Sequence, residues 1–289
     1  MLTIKTRFSL LRQVLFVLMT LSLFSCHLVT PQEEVNTSHN TNREANSKSQ
    51  TYLLVHGAWH PQECWHLVKE KLEQQGHNVF TVQLQGLGKD QTPLEQITLQ
   101  SHVDAVKLAL NQIEGKVVLV GHSYGGVVIS QVGEQLPQKI EKLVYLSAFM
   151  LQNGESLADI ALKDTLSVVT QNLVFAPPAA FIPKEKYISA FYNEVEENNN
   201  QVVEQEVNEL MALLRPHPIA ALGTPISIGA NYNSLDKVYI SCLKDHAITP
   251  SAQQFMYSRF NGVKVFTLKA DHSPFITQTS QLVNILGKL

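Results

Sequence analysis

The chain has 289 residues, with 22 Lys plus Arg and 25 Asp plus Glu, so its formal charge is -3. This balance indicates neither a nucleic-acid-binding surface nor an acidic tail. An apolar fraction of 44% with 16% charged residues excludes general disorder and allows a sizeable core, whereas three cysteines are too few for a disulfide scaffold.

The first 25 residues are typical of an export signal. Lys5, Arg7 and Arg12 precede an uncharged run over residues 14–24, which is short for a membrane-spanning helix. The run ends Leu-Phe-Ser-Cys at Cys26 and resembles the lipobox of bacterial lipoproteins. That resemblance implies cleavage before Cys26, lipidation of its thiol and attachment to a membrane.

Residue 27 is His, not Asp, which favours an extracytoplasmic, outer-membrane address if the cell has such a membrane. Residues 26–50 carry few large apolar side chains, so we predict a disordered tether. Two alternatives to lipidation remain open: an ordinary signal peptide with a chance cysteine, and an uncleaved anchor.

From residue 51 onward, short β-rich runs alternate with helical patterns. The runs are Tyr52 to Val55, Val79 to Leu84, Val117 to Val120, Leu143 to Phe149, Val238 to Leu243 and Val263 to Leu268. An apolar stripe from Leu99 to Ile113 predicts a helix on a sheet, and Thr249-Pro250 predicts a helix start. We therefore predict an α/β fold, with a mostly parallel sheet of about six strands flanked by helices, over residues 51–289.

The alternation lapses between about residues 151 and 236, where the pattern is helical and includes a stripe at Val203, Val207, Leu210 and Leu214. Some eighty residues with this many apolar side chains need a surface on which to pack. We predict a helical lid inserted after the fourth strand.

A Gly-His-Ser-Tyr-Gly-Gly segment, residues 121–126, stands between a strand run and a plausible helix. This is the G-x-S-x-G pattern in a strand-turn-helix setting, where glycines let the backbone pass close to an exposed, strained serine. Ser123 is therefore predicted to be a nucleophile. The alternative is a glycine-rich turn without chemistry.

A serine hydroxyl needs a base that is oriented by a third group. Asp245 and His272 each follow a predicted strand, at the edge where a parallel sheet presents its site. Asp271 is the rival acid, but it adjoins the histidine in sequence, and Asp236 lies at the wrong end of a strand. We predict the set Ser123, Asp245 and His272.

The loop after the first strand runs His-Gly-Ala-Trp over residues 56–59. Its likeness to an oxyanion loop predicts that the backbone amides of Ala58 and Tyr124 receive the developing charge, with His56 holding the loop. No metal is expected, because the sequence contains no recognised spacing of metal-ligating residues, and the scheme requires no cofactor. Cys64 and Cys242 are expected to be free and buried.

Several segments together resemble the plant methyl-ester esterase and hydroxynitrile lyase family, within the α/β-hydrolase fold, and its bacterial relatives. They include residues 54–59, 118–126, 242–245 and 270–272. The resemblance spans about residues 51–289 and is weak through the lid. It implies the same triad and the same two amides. Lyase members carry threonine at the position of Gly57 and lysine at that of Ser273, so ester hydrolysis is favoured.

The sequence therefore predicts a membrane-attached serine carboxylesterase for small to medium carboxylic esters, with no nucleic-acid partner. Two alternatives stay open: a cyanohydrin or related C-C lyase using the same triad, and a non-catalytic binding lipoprotein. Which acyl and alcohol groups the enzyme accepts depends on the shape of the pocket. The lid, and Tyr124 beside the nucleophile, determine that shape.

Overall fold

The computed structural model describes residues 49–198 and 200–289, and of residues 196–198 it describes the backbone alone. The predicted signal segment, Cys26 and nearly all of the predicted tether lie outside the described residues. Within the described ranges, no helix is both long and apolar enough to cross a bilayer.

Nine strands and thirteen α-helices make up the described part of the chain. The strands are β1 (Thr51–Val55), β2 (Asn78–Val82), β3 (Val117–His122), β4 (Ile140–Leu146), β5 (Val174–Ala176), β6 (Ala179–Phe181), β7 (His217–Pro218), β8 (Asp236–Cys242) and β9 (Lys264–Leu268). The helices are α1 (His66–Gln74), α2 (Leu99–Asn111), α3 (Gly125–Gln135), α4 (Leu157–Ala161), α5 (Val168–Asn172), α6 (Tyr187–Phe191), α7 (Asn193–Asn198), α8 (Gln201–Met211), α9 (Ile219–Gly223), α10 (Ala230–Ser234), α11 (Pro250–Tyr257), α12 (Pro274–Thr277) and α13 (Thr279–Leu286).

Six strands form one parallel sheet in the order β2-β1-β3-β4-β8-β9. Every residue of the central strand β3 is buried, as expected where helices cover both faces of a sheet. The predicted stripe is on α2, where Leu99, Val103, Val106 and Leu110 are buried. The predicted α/β fold is confirmed.

The fourth strand differs from its predicted bounds. It runs from Ile140 to Leu146, not from Leu143 to Phe149. It ends early because Ser147 has a φ of 40°, outside the extended region of a strand. Its beginning was missed because Glu141 and Lys142 interrupt the apolar run.

Between β4 and β8 the chain forms a cap, defined here as residues 151–235. It contains the helices α4 to α10, as the helical pattern predicts. It also contains a three-stranded antiparallel sheet, in the order β5-β6-β7, which the sequence does not predict.

The strand order reverses between β1 and β3, because β2 lies on one side of β1 and the later strands lie on the other. At such a point the loops that follow the two strands separate and leave a crevice at the carboxyl edge of the sheet. The loop at Gly57 and the turn at Ser123 both leave the sheet here.

Candidate active site

Ser123 occupies a tight turn between β3 and α3. Its φ is 53°, a left-handed conformation that costs energy for a residue other than glycine. The packing that holds it requires glycine nearby: a Cβ atom on Gly121 would lie 2.7 Å from the Gly125 carbonyl group, and one on Gly125 would lie 2.8 Å from the Val55 oxygen. The motif therefore has the strained geometry that its sequence predicts.

Asp245 and His272 are brought together by the loops that follow β8 and β9. The Asp245 Oδ2 accepts a hydrogen bond from the His272 Nδ1 at 2.8 Å, and both side chains are almost fully buried. This bond assigns the proton to Nδ1, so Nε2 is the nitrogen available as a base.

The Asp245 carboxylate is held by four further donors. Its Oδ1 accepts from the amides of Ala247 (2.7 Å) and Ile248 (2.9 Å), and its Oδ2 accepts from Gln253 Nε2 (3.1 Å) and from the Ser147 hydroxyl. Hydrogen bonds of this kind fix the orientation of the carboxylate. The carboxylate can therefore hold the imidazole in one tautomer.

Asp271, the rival acid, bonds to other groups. Its Oδ1 accepts from the Ser273 amide (3.0 Å) and the Thr277 hydroxyl (2.7 Å), and its Oδ2 accepts from the Glu194 amide (3.1 Å). Burial, with a smaller contribution from the Glu194 carboxylate, raises the pKa of Asp271 to about 7. Its donors tie it to α12 and α7, and the acid bonded to the His272 ring is Asp245. Asp236 is exposed at the start of β8.

The loop after β1 passes directly against the serine turn. A Cβ atom on Gly57 would lie 2.7 Å from the Ser123 Cβ and 2.9 Å from the His122 Nδ1, so only glycine fits without a shift. His56 secures the loop: its Nδ1 donates to the Gly57 oxygen (2.9 Å), and its Nε2 accepts from the Leu84 amide (3.0 Å). Burial lowers the pKa of His56 to about 3, so the ring is neutral.

The two predicted oxyanion donors flank this contact. The amides of Ala58 and Tyr124 donate no hydrogen bond to any group in the described part of the chain. The Tyr124 side chain is fully buried, and its hydroxyl donates to the His102 Nδ1 at 2.8 Å. The bulk of Tyr124 therefore packs into the core and is not part of the cavity wall.

Trp59 is a site residue that the sequence analysis missed. It has a φ of 63°, and its carbonyl oxygen accepts from the Arg215 amide at 3.0 Å. Its indole Nε1 donates to the Ala180 oxygen of β6 at 3.0 Å. Both partners belong to the cap, so Trp59 fastens the cap to the residue next to Ala58. The aromatic residue in the oxyanion-loop segment was its only signal.

The active-site region contains an unusual number of buried histidines. His122 donates from Nε2 to the backbone oxygen of His272 (2.9 Å), and the two rings lie 4.5 Å apart. His60 bonds to the Ala58 oxygen (2.9 Å) and to the Tyr192 hydroxyl (2.8 Å). These rings pack around the catalytic loops and position their backbone.

Ser123 and His272 line one cavity between the carboxyl edge of the sheet and the cap. The volume of this cavity, taken as the space open to the centre of a water molecule, is about 50 Å³. Its wall is mainly apolar and includes Trp59, Phe149, Leu157, Ile160, Leu222 and Ile248. The arrangement combines a serine, an oriented imidazole and two unbonded amides beside an apolar space.

Cys64 and Cys242 are both buried and free. In residues 49–198 and 200–289, no group of three or more His, Cys, Asp or Glu side chains could hold a metal ion.

The chain matches the Alpha/beta hydrolase family over residues 52–285. It belongs to that family. Methylesterase 3 of Arabidopsis thaliana is 31% identical over 254 residues, which cover 83% of this chain and 95% of that protein. Putative methylesterase 13 of the same plant, described as chloroplastic, is 30% identical over 86% of this chain. The match spans only 58% of the length of that relative.

Solved structures of low sequence identity share the fold. A pyrethroid hydrolase from Sphingobium faniae JZ-2 has a TM-score of 0.74 at 20% identity, covering 83% of this chain and 96% of its own. Polyneuridine aldehyde esterase has a TM-score of 0.70 at 23% identity, covering 83% and 98%. These likenesses show the shared fold, and the family match shows the family.

The buried histidines predict a steep loss of stability in mild acid. Burial lowers the pKa of His56 to about 3 and of His60 and His102 to about 4, and it lowers those of His122 and His217 well below the ordinary value. Below about pH 6.5 the unfolded chain binds protons that the folded chain does not, so folding stability falls as pH falls. The raised pKa of Asp271 offsets about one of these five protons, because the folded state keeps that proton up to about pH 7.

The net uptake averages about two protons between pH 7 and 6 and reaches about four below about pH 5.5, where the slope is about 5 kcal/mol per pH unit, so we expect cooperative unfolding near pH 5. The free energy of unfolding measured by denaturant titration at pH 7, 6.5 and 6 tests this. The variant His217→Leu, which removes a ring whose two nitrogens have no partner, should lower the proton uptake over this range by about half a proton, because an unfolded imidazole is about half protonated at pH 6.5. An uptake below about one proton in the wild type would contradict the account.

Proposed function

We propose that the protein is a serine carboxylesterase that hydrolyses small to medium carboxylic esters through an acyl-enzyme. The observation that carries the proposal is one arrangement. Ser123 and His272 line the same apolar cavity, and the Asp245 carboxylate accepts a hydrogen bond from the Nδ1 of the His272 imidazole. The methylesterase relatives support the same reaction type.

In the proposed mechanism Ser123 attacks the ester carbonyl, and the His272 Nε2 takes its proton. The developing oxyanion accepts hydrogen bonds from the amides of Ala58 and Tyr124. His272 then gives the proton to the departing alcohol. Water, deprotonated by the same imidazole, attacks the acyl-enzyme and releases the acid.

Electrostatics favour this sequence of steps. The imidazolium that forms on His272 lies against the buried Asp245 carboxylate, which the surrounding donors keep in place. The neighbouring ring of His122 is neutral, because burial lowers its pKa well below the ordinary value. The positive charge on His272 therefore meets an anion on one side and no competing cation from His122.

A lyase reaction is less well supported by the chain's own geometry. The lyase members of the family that the sequence resembles carry threonine where this chain has Gly57, and in this structure a Cβ atom there would lie 2.7 Å from the Ser123 Cβ. A branched side chain at this position would collide with the nucleophile. The cleared backbone suits a tetrahedral acyl intermediate.

We also propose that the enzyme acts outside the cytoplasm on a lipid anchor at Cys26. The support is the order of charged residues, uncharged run and Cys26 in the first 26 residues. The polar segment that follows would separate the catalytic domain from the membrane.

Substituting the two aspartates should separate their roles. Asp245→Asn is expected to lower kcat for p-nitrophenyl esters by about 10³- to 10⁴-fold, because the imidazole loses its tautomer and its counter-charge. Asp271→Asn, the matched control, should cost less than about tenfold in kcat. A larger loss in Asp271→Asn would make the acid assignment wrong. Absence of wild-type ester turnover, with cyanide released from mandelonitrile, would overturn the esterase proposal.

The anchor can be tested by metabolic labelling. Expression of the full chain in a bacterial host that processes lipoproteins should give a protein that incorporates a palmitate analogue, and Cys26→Ser should abolish that incorporation. Cys64→Ser serves as the control, because that thiol is buried in the folded domain. Equal labelling of the wild type and Cys26→Ser would refute the anchor.

A further inference from the structure

We propose that the preferred substrates are uncharged esters whose apolar part is longer than the cavity, so that its far end lies on the surface of the cap. We call the exposed part of the cavity wall the apolar rim and define it as Leu162 and Phe175. This inference rests on the esterase function proposed above and names the chemical class of its substrate.

The interior of the cavity offers a substrate almost no polar partner. Asp164 lines the wall, but its carboxylate already accepts hydrogen bonds from the amide and the hydroxyl of Thr249, at 2.8 and 2.7 Å. Thr170 also lines the wall, and its hydroxyl donates to the Ala161 oxygen at 2.9 Å. Both groups are thus engaged within the protein, and neither offers a substrate a free hydrogen-bond donor.

The remaining polar groups beside the substrate are those of the reaction itself: Ser123, His272 and the two amides. A carboxylate or carbonyl group elsewhere on the substrate would lose water and gain no hydrogen bond from these side chains, which is costly. The carboxylate of Asp164 would in addition repel an anionic substrate. The cavity therefore selects substrates that are uncharged and apolar next to the ester.

The apolar wall continues onto the surface of the cap. Leu162 follows α4 and Phe175 lies in β5; both line the cavity, yet they are 57% and 54% exposed. Leu166 and Val174, in the same segment of the cap, are 75% and 38% exposed. Four of the ten large hydrophobic side chains exposed in the described part of the chain thus fall within residues 162–175.

Continuity with the cavity identifies the occupant of the rim. When a substrate that reacts at Ser123 is too long for the enclosed space, its far end extends out of the cavity along the exposed wall. Its outer methylene groups would cover Leu162 and Phe175 and remove apolar surface from water. Each methylene group that is fully buried contributes about a three- to fourfold gain in affinity.

Kinetics of matched short and long esters test the inference. The full-length protein is given p-nitrophenyl acetate and p-nitrophenyl decanoate, and separately ethyl acetate and decyl acetate, all below the concentrations at which they aggregate. The two pairs place the long chain on the acyl and the alcohol side of the ester. The measured quantity is the ratio of kcat/KM for the long ester to that for the short ester.

In at least one pair the ratio should exceed one in the wild type. Leu162→Ser and Phe175→Ser should each lower that ratio about 5- to 30-fold, mainly through KM. Phe175→Leu, which keeps an apolar side chain, should restore most of it. Leu108→Ser changes a leucine of α2 that is 66% exposed and outside the cavity, so the ratio should stay within about twofold.

The outcomes separate this inference from the function on which it rests. Turnover of the short esters, with ratios that the rim variants do not change in either pair, would overturn the rim and leave the esterase standing. If the rim variants lower kcat/KM equally for long and short esters, that result would also overturn the rim and leave the esterase standing. If the wild type cleaves none of the four esters, the esterase proposal fails and the rim inference fails with it.

Discussion

The backbone around Ser123 is packed so tightly that one additional carbon atom does not fit at several neighbouring positions. A Cβ atom on Gly126 would approach the Phe149 oxygen to 2.5 Å, and one on Gly57 would approach the Ser123 Cβ to 2.7 Å. This packing joins the ends of β1, β3 and β4 and holds Ser123 at a positive φ. The oxyanion loop, the nucleophile and the edge of the sheet can therefore occupy one small space only because glycine supplies no side chain.

The same compactness explains why so much polar chemistry is buried. His56, His122 and Asp245 are each at most 1% exposed, and their hydrogen bonds secure loops that carry the reacting groups. Burying the histidines in the neutral form lowers stability in acid, because the unfolded chain binds protons that the folded chain does not bind. The fold thus exchanges acid stability for a rigid site.

The cap completes the site by two kinds of contact. Trp59 ties it to the oxyanion loop through hydrogen bonds to β6 and to Arg215. The cap also supplies the part of the apolar wall that ends at Leu162 and Phe175. The position of the cap therefore bears both on the backbone that stabilises the oxyanion and on the shape that selects the substrate.

Much of this could be predicted from the sequence, for physical reasons. The serine turn needs a local Gly pattern, and Asp245 and His272 each follow an apolar strand, so both signals are read along the chain. The strands β5, β6 and β7 have only two or three residues, too few to show an alternating pattern. The contacts of Trp59 and the hydrogen bonds that Asp164 accepts join segments that are far apart in sequence, so no local pattern predicts them. The Cys26 anchor stays a prediction.

The central claim is that Ser123 is a nucleophile activated by His272 and oriented through Asp245. The most direct measurement is covalent labelling of the full-length protein with a fluorophosphonate, followed by mass spectrometry of its peptides. The account predicts one adduct, on Ser123, that is absent in Ser123→Ala and forms far more slowly in Asp245→Asn. An unlabelled wild-type protein, or an adduct on a different residue, would contradict it.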